Sequence, residues 1–277
     1  MKVLILGARG MLGKDLIPIL SVKNQVWARD IDDFDITDQG RVQKEVGALR
    51  PEVVINAAAY TNVDGCESQR ELSFAVNAEG ARNVALACAA TPAWIIHLST
   101  DYVFDGSSQT PYREEDLPNP LNIYGTSKLQ GERYIQEILE NYLIIRTEWL
   151  YGRYGKNFVD TILKMAEEQK ELRVVNDQRG SPTFTKDLSF ALERLMEIEA
   201  RGILNVTNSG SCTWFEFARQ ILREKGYNQV RVIPISSQDL ARPARRPAYS
   251  VMDCRKYEQL TGRKMRPWEE AIKEYLS

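Results

Sequence analysis

Five short apolar runs separated by longer, helix-patterned segments fill the first half of the chain, and this alternation constrains the fold more than any other feature. The runs are KVLIL (2–6), QVWAR (25–29), EVVIN (52–56), AWIIHLS (93–99) and YLIIRT (142–147). Between them lie GMLGKDLIPIL, DQGRVQKEVGALR, ELSFAVNAEGARNVALACAA and SKLQGERYIQEIL. Runs rich in branched aliphatic residues, without polar alternation, describe strands covered on both faces. Strand–helix alternation then predicts an α/β protein with a doubly wound parallel sheet.

Beyond Arg146 the pattern loosens. NFVDTILKMAEEQK and TKDLSFALERLMEIE read as helices, LRVVND, ILNVTN and VRVIPIS as strands, and WEEAIKEYL as a closing helix. TWFEFARQILREKG opens with Thr213 and Glu216 at capping-box spacing and stops at Gly226. We expect a first domain of residues 1–147 plus about 185–206, and a smaller α/β lobe of about 148–184 and 207–277.

Composition excludes several function classes. The net charge of −2 gives no global field toward nucleic acid or an anionic membrane, and no apolar run is long enough to span a bilayer. The amino terminus MKVLILGARG lacks the cleavage pattern of a signal peptide. Cys66, Cys88, Cys212 and Cys254 form no CxxC pair, which fits a reducing cytoplasm and argues against a disulfide framework or zinc site. His97, the only histidine, reads as a satisfied strand residue, so histidine-dependent hydrolysis and metal catalysis are not expected.

GARGMLG places Gly7, Gly10 and Gly13 directly after the first strand and at the start of the first helix. Such a turn brings helix N-terminal amides against a pyrophosphate and lets helix and sheet pack closely. Asp30 ends the second strand, where a carboxylate suits a ribose and repels a 2′-phosphate, yet Arg9 and Arg29 lie near it in sequence. NADH and NADPH both remain open. NAAAYTNVD follows the third strand with small residues, and HLSTDYVFDG brings Thr100 and Asp101 to the carboxyl end of the fourth, where open α/β sheets place their ligands. In NIYGTSKLQGE, Tyr124 and Lys128 stand four residues apart on one helix face. Random order would give roughly 0.6 such pairs in a chain of this composition, so the spacing needs its setting to carry weight.

Together these segments resemble the extended short-chain dehydrogenase/reductase family, whose glycine turn has this GxxGxxG form. Within it, GARGMLG, DITD, NAAAYTNVD, STDYVFDG, NIYGTSK, RTEWLYG, NFVDTILKMA, NDQRGSPT and GSCTWFEFA are similar to the dTDP-4-dehydrorhamnose reductases. The resemblance implies a Rossmann-type cofactor domain, a sugar-nucleotide lobe and reduction of a C4 keto group by NADPH or NADH. It implies that Tyr124 donates the proton, Thr100 hydrogen-bonds the keto oxygen, and Lys128 binds the nicotinamide ribose and lowers the Tyr124 pKa. Moving a phenol from about 10 toward 7 takes roughly 4 kcal/mol, which one ammonium about 4 Å away supplies at an effective dielectric near 20.

Cofactor contacts are implied at Gly7, Arg9, Gly10, Met11, Leu12, Gly13, Asp30, Asp35, Ile36, Ala57, Ala58 and Ala59. Substrate contacts are implied at Thr100, Asp101, Tyr102, Trp149, Asn157 and Gln178, and Arg242, Arg245 and Arg246 could grip a diphosphate. Glu148 departs from the family pattern, which has a small Ser there. Some relatives carry a metal-linked dimer contact near the position of Asp15, but one carboxylate predicts no metal here. The partner expected is a small-molecule nucleotide sugar, with neither nucleic acid nor membrane, and the protein a monomer or homodimer. Two other readings share these motifs. One is a catalytically silent homologue like the regulatory subunit of methionine adenosyltransferase, and the other is an NDP-sugar epimerase or dehydratase.

Overall fold

The computed structural model describes residues 1–277. Strand β1 (Lys2–Leu6) leads into α1 (Met11–Leu20), β2 (Gln25–Arg29), α2 (Gln39–Leu49) and β3 (Val53–Asn56). Then come α3 (Val63–Ser68), α4 (Arg70–Phe74), α5 (Ala81–Ala89), β4 (Trp94–Thr100), α6 (Ile123–Ile138) and β5 (Tyr142–Thr147). The remainder holds β6 (Leu150–Tyr151), α7 (Phe158–Glu168), β7 (Glu171–Val175), β8 (Arg179–Gly180), β9 (Thr183–Phe184), α8 (Thr185–Glu197) and β10 (Gly202–Asn205). It ends with β11 (Cys212–Thr213), α9 (Trp214–Glu224), β12 (Arg231–Ile235), α10 (Ser237–Leu240), α11 (Arg255–Thr261) and α12 (Trp268–Leu276).

Six strands form one parallel sheet in the order β2-β1-β3-β4-β5-β10. From β1 the chain crosses to β2 on one side and then to β3 on the other, so the crevice at their carboxyl ends is the natural ligand site. Alternate residues of each central strand feed the two faces. Val3, Ile5, Val53 and Ile55 pack with Leu12, Leu16 and Leu20 of α1 and with Leu188, Leu192 and Leu195 of α8. Leu4, Leu6, Val54 and Ile95 meet Val42 and Val46 of α2 and Val84, Ala85 and Cys88 of α5. Each Val, Leu or Ile among them contributes about 1.5–3 kcal/mol by leaving water. Strand β2 is an edge strand and only half-buried, unlike the doubly covered strand its sequence suggested.

A third core, with Tyr151, Phe184, Phe217 and Trp268 at its centre, joins α7, α9 and α12. Beside it, β7 and β12 pair in parallel. The capping box at Thr213 and Glu216 forms, and Gly226 adopts φ +75° after the helix. The segment expected as one helix over 71–90 is divided: a π-helical turn over Ala75–Gly80 separates α4 from α5. Asn77, inside that turn, gives the reason. Its side chain bonds the Tyr60 amide and carbonyl, at 2.8 and 3.1 Å, and Ser127 Oγ at 3.0 Å, tying the loop after β3 to α6. No helix is long and apolar enough to cross a membrane.

Candidate active site

The glycine turn is built almost entirely from backbone. Gly7 sits at φ +78°, and a Cβ on it would lie 2.6 Å from Ala58 N and 2.7 Å from Ala57 C. A Cβ on Gly13 would reach Gly7 O at 2.4 Å, so α1 can approach the sheet this closely only through glycine. Gly10 is the N-cap of α1 and supplies no side-chain cap, which leaves the first helical amides available to an anion. Next to this turn, Asp30, Asp35, Ile36, Ala57, Ala58 and Ala59 line a cavity of about 330 Å³, with Arg29 and Phe34. Asp30 accepts the amides of Arg9 at 2.7 Å and Ile31 at 2.8 Å. The Arg9 side chain turns outward to pair with Asp32.

A second cavity, of about 480 Å³, shares Gly7, Gly10, Ala57 and Ala59 with the first and continues along the carboxyl ends of the strands. Met11, Leu12, Gly13, Thr100, Asp101, Tyr102, Tyr124, Lys128 and Trp149 all line it. The helix that presents Tyr124 and Lys128 is fixed at its amino-terminal end and through its middle. Asn122 caps it through Gly125 N at 2.8 Å while donating to Arg245 O at 2.7 Å. Gly125 lies so near Tyr102 O that a Cβ would come within 2.1 Å of it, and Gly131 similarly approaches Asn77 O. Behind the helix, Arg146 and Glu132 form a buried forked ion pair at 2.7 and 3.1 Å, and Ser99 Oγ donates to Glu132 at 2.5 Å.

Lys128 Nζ donates to Leu98 O at 2.5 Å and stands 3.4 Å from His97 Nε2. The far side of that ring, Nδ1, meets Asn56 Nδ2 at 3.2 Å. Asn56 Oδ1 accepts the Ala58 amide, which turns its amide nitrogen toward Nδ1. His97 is thus a strand histidine with a satisfied partner, as expected, but it also abuts the site lysine. Alternation along β4 held the signal, since His97 and Ser99 share the face covered by α6.

Burial pushes Lys128 down to about 8, with the Glu132 carboxylate opposing. Burial also pushes the Tyr124 phenol up, with Asp101 adding to the rise. Burial, rather than the ammonium, dominates the phenol here. Desolvation acts on both groups, and the lysine points to Leu98 O rather than to the phenol. Tyr124 packs edge-on against Tyr102, ring centroids 5.5 Å apart.

Trp149 takes a left-handed backbone (φ +49°) and stacks on Trp214 at 3.5 Å. A Cβ on Gly180 would strike both the Trp149 ring and Glu148, so glycine there makes room for them. Trp214 lines the cavity and was not anticipated. Gln178 does not line it; its Oε1 accepts from Trp214 Nε1 at 3.2 Å and its Nε2 donates to Ser237, so it orients the ring. Asn157 is also outside the cavity, its side chain capping α7 through Asp160 N and bonding Gly152 O at 2.9 Å. Of the three arginines, Arg246 is engaged by Asp64 in a forked pair at 2.5 and 2.8 Å, while Arg242 and Arg245 are exposed. No three or more His, Cys, Asp or Glu side chains gather as a metal site.

Comparison with known proteins agrees with this geometry. The spore coat polysaccharide biosynthesis protein SpsK of Bacillus subtilis is 43% identical over 276 residues, covering 99% of this chain and 96% of the relative. A dTDP-4-dehydrorhamnose reductase of Streptomyces griseus is 42% identical over 281 residues, covering 98% and 91%. The crystal structure of dTDP-4-dehydrorhamnose reductase from Bacillus anthracis in complex with NADP superposes with a TM-score of 0.95 at 41% identity, covering 99% of both chains. The family model described as RmlD substrate binding domain matches residues 1–277, and the chain belongs to that family.

Proposed function

We propose that this protein is an oxidoreductase that reduces the C4 keto group of dTDP-4-dehydro-L-rhamnose to give dTDP-L-rhamnose, using NADPH or NADH. The observation that carries the reading is the single 480 Å³ cavity in which Thr100, Tyr124 and Lys128 meet the Gly7–Gly13 turn. The uncapped N-terminus of α1 and the space a Gly7 Cβ would fill suit a pyrophosphate, so the residues present fit a dinucleotide. The nicotinamide nucleotide supplies the hydride that reaches the keto carbon.

The chain's own part is to hold and protonate the oxygen. Thr100 and Tyr124 present hydroxyls to one wall of the cavity, and Tyr124 gives its proton to the forming alkoxide. Lys128, tethered to Leu98 O, is held to engage the ribose hydroxyls and to place positive charge near the phenolate left behind. Trp149, backed by Trp214, offers an apolar wall to the sugar. Residues 1–147 with about 185–206 hold the dinucleotide, and about 148–184 with 207–277 hold the sugar nucleotide. The packing of α8 on α1 and the pairing of β10 with β5 favour this division. We place the protein in the cytoplasm, consistent with its four free cysteines, as a monomer or homodimer.

Incubation with dTDP-4-dehydro-L-rhamnose and either reduced cofactor tests the reading. We expect one cofactor oxidised per sugar reduced, which also separates net reduction from the internal hydride return of an epimerase. No oxidation of either cofactor with authentic substrate present would sink it.

A further inference from the structure

Thr100 carries one hydroxyl hydrogen, and it is already engaged. Its Oγ1 donates to Asp101 Oδ1 at 2.9 Å and accepts the Tyr102 amide at 3.2 Å, and it lines the same cavity as Tyr124. A ketone oxygen only accepts, so a Thr100 whose hydrogen belongs to a carboxylate has none to offer it.

Asp101 is placed to release that hydrogen. It is 2% exposed, Oδ2 has no partner, and no cation pairs with it. Thr100 is in register with Thr147 on the neighbouring strand, so Asp101 and Glu148 occupy equivalent positions just past two adjacent strand ends. Glu148 is also 2% exposed, and its Oε1 has no partner, while Oε2 accepts from Ser250 Oγ at 2.8 Å. Both residues line the same cavity. Two carboxylates in one such cavity disfavour each other's charge, and burial disfavours both. Asp101 is pushed up to about 7, and Glu148 well above the usual carboxylate range.

We propose that Asp101 is a positioning residue that works as the neutral acid: protonated on Oδ1 it donates to Thr100 Oγ1, and the Thr100 hydrogen turns to the keto oxygen. This rests on the keto-reductase reading above. The hydrogen count supports it. Thr100 Oγ1 has two lone pairs, which the Tyr102 amide and the Asp101 acid then fill. The Tyr124 hydroxyl lines the same cavity, and its hydrogen serves the same keto oxygen. Two donors then converge on one acceptor, one stabilising the developing charge and the other, Tyr124, protonating it. The proton on Asp101 comes from solvent and stays there through the reaction; Tyr124 alone transfers one to substrate.

The groups facing Asp101 are Glu148 from the end of β5, Tyr124 and Lys128 from α6, and its neighbour Tyr102. Arg246 reaches Tyr102 from the carboxy-terminal loop but is held by Asp64. Tyr249, Cys212 and Cys254 lie beyond Glu148.

pH-difference infrared spectroscopy on the full chain without ligand reads the acid directly. We expect a protonated-carboxyl signal at about pH 6 that is partly lost by about pH 8, the lost part being missing from Asp101→Asn while the acid band of Glu148 stays. In turnover, kcat of the unaltered chain should fall roughly tenfold per pH unit above about pH 7. Asp101→Asn, whose amide donates to Thr100 at every pH, should hold its kcat between about pH 7 and 8 and fall only above that, where Lys128 loses its proton. The proposal is overturned if Asp101→Asn shows the same infrared change as the unaltered chain, or keeps the fall in kcat between about pH 7 and 8. Should Asp101→Asn fail to fold, Thr100→Val serves instead. It removes the acceptor of the acid's hydrogen, so the carboxyl band should move in frequency, and an unmoved band overturns the proposal. If no sugar nucleotide is reduced at all, the functional reading fails while the infrared arm still decides the state of Asp101.

Discussion

The two ends of the cleft are made differently. At the nucleotide end the contacts come from backbone: a left-handed Gly7, an uncapped helix start, and small Ala57–Ala59 passing alongside. At the chemistry end they come from side chains that fold into a dry wall: Thr100, Asp101, Tyr124, Lys128 and Glu148. Backbone sites need particular φ values and an absence of Cβ atoms, which tolerate titration but no added volume. Side-chain sites tolerate small changes in volume but depend on who holds which proton. Variants at the two ends should therefore fail in different ways.

The largest effect is expected at the chemistry end. Tyr124→Phe should lower kcat by about 10²–10⁴-fold while leaving cofactor affinity within about threefold, because only the proton donor is lost. Steady-state kinetics with cofactor titration by fluorescence checks both numbers. Comparable losses of turnover and cofactor affinity would erase the distinction between the ends.

Gly7→Ala is the counterpart. A methyl group at φ +78°, 2.6 Å from Ala58 N, should cost about 1–3 kcal/mol of stability and weaken cofactor binding at least tenfold. It should leave the pH profile of residual turnover unchanged. Calorimetry for binding and denaturant unfolding for stability measure it, and a variant with native affinity would contradict the cradle.

Lys128→Met should abolish most turnover yet stabilise the fold, by up to about 3 kcal/mol at pH 7, since burial holds the lysine near 8 against an ordinary 10.5. The sign follows from proton counting. Between about pH 8 and 10.5 the unfolded chain keeps a proton that the folded one has lost, so this position's penalty shrinks as pH rises through that window. Unfolding midpoints at pH 7 and pH 10 should differ less in the methionine variant than in the unaltered chain. The smallest effect belongs to Gln178→Ala, which frees the Trp214 ring. We expect KM for the sugar nucleotide to rise about three- to tenfold with kcat little changed, from the loss of one hydrogen bond of about 1 kcal/mol.

The same contrast explains what the sequence disclosed. Spacing of Gly7, Gly10 and Gly13 after KVLIL reports a backbone path directly, because only glycine satisfies it, and the five apolar runs became five sheet strands. The carboxyl-end position of Thr100 and the shared face of Tyr124 and Lys128 also followed from periodicity. The proton arrangement did not. Nothing local marks Glu148 as lying beside Asp101, since that depends on the register of β4 against β5. Asn157 and Gln178 are expected as ligand contacts from the resemblance of their segments to a sugar-nucleotide contact region. Folding directs one to cap α7 and the other to hold Trp214. Arg246 likewise offers its guanidinium to Asp64, nearly two hundred positions away in the chain, a pairing no spacing rule could find.

The central claim is that the wall of side chains at the strand ends turns a bound nucleotide sugar into its C4 alcohol. Its most direct test is turnover of dTDP-4-dehydro-L-rhamnose followed by the absorbance of the reduced cofactor, with the product's C4 configuration read by NMR. The account predicts stoichiometric oxidation and dTDP-L-rhamnose as product. Intact substrate and undiminished reduced cofactor after incubation with folded protein would contradict it.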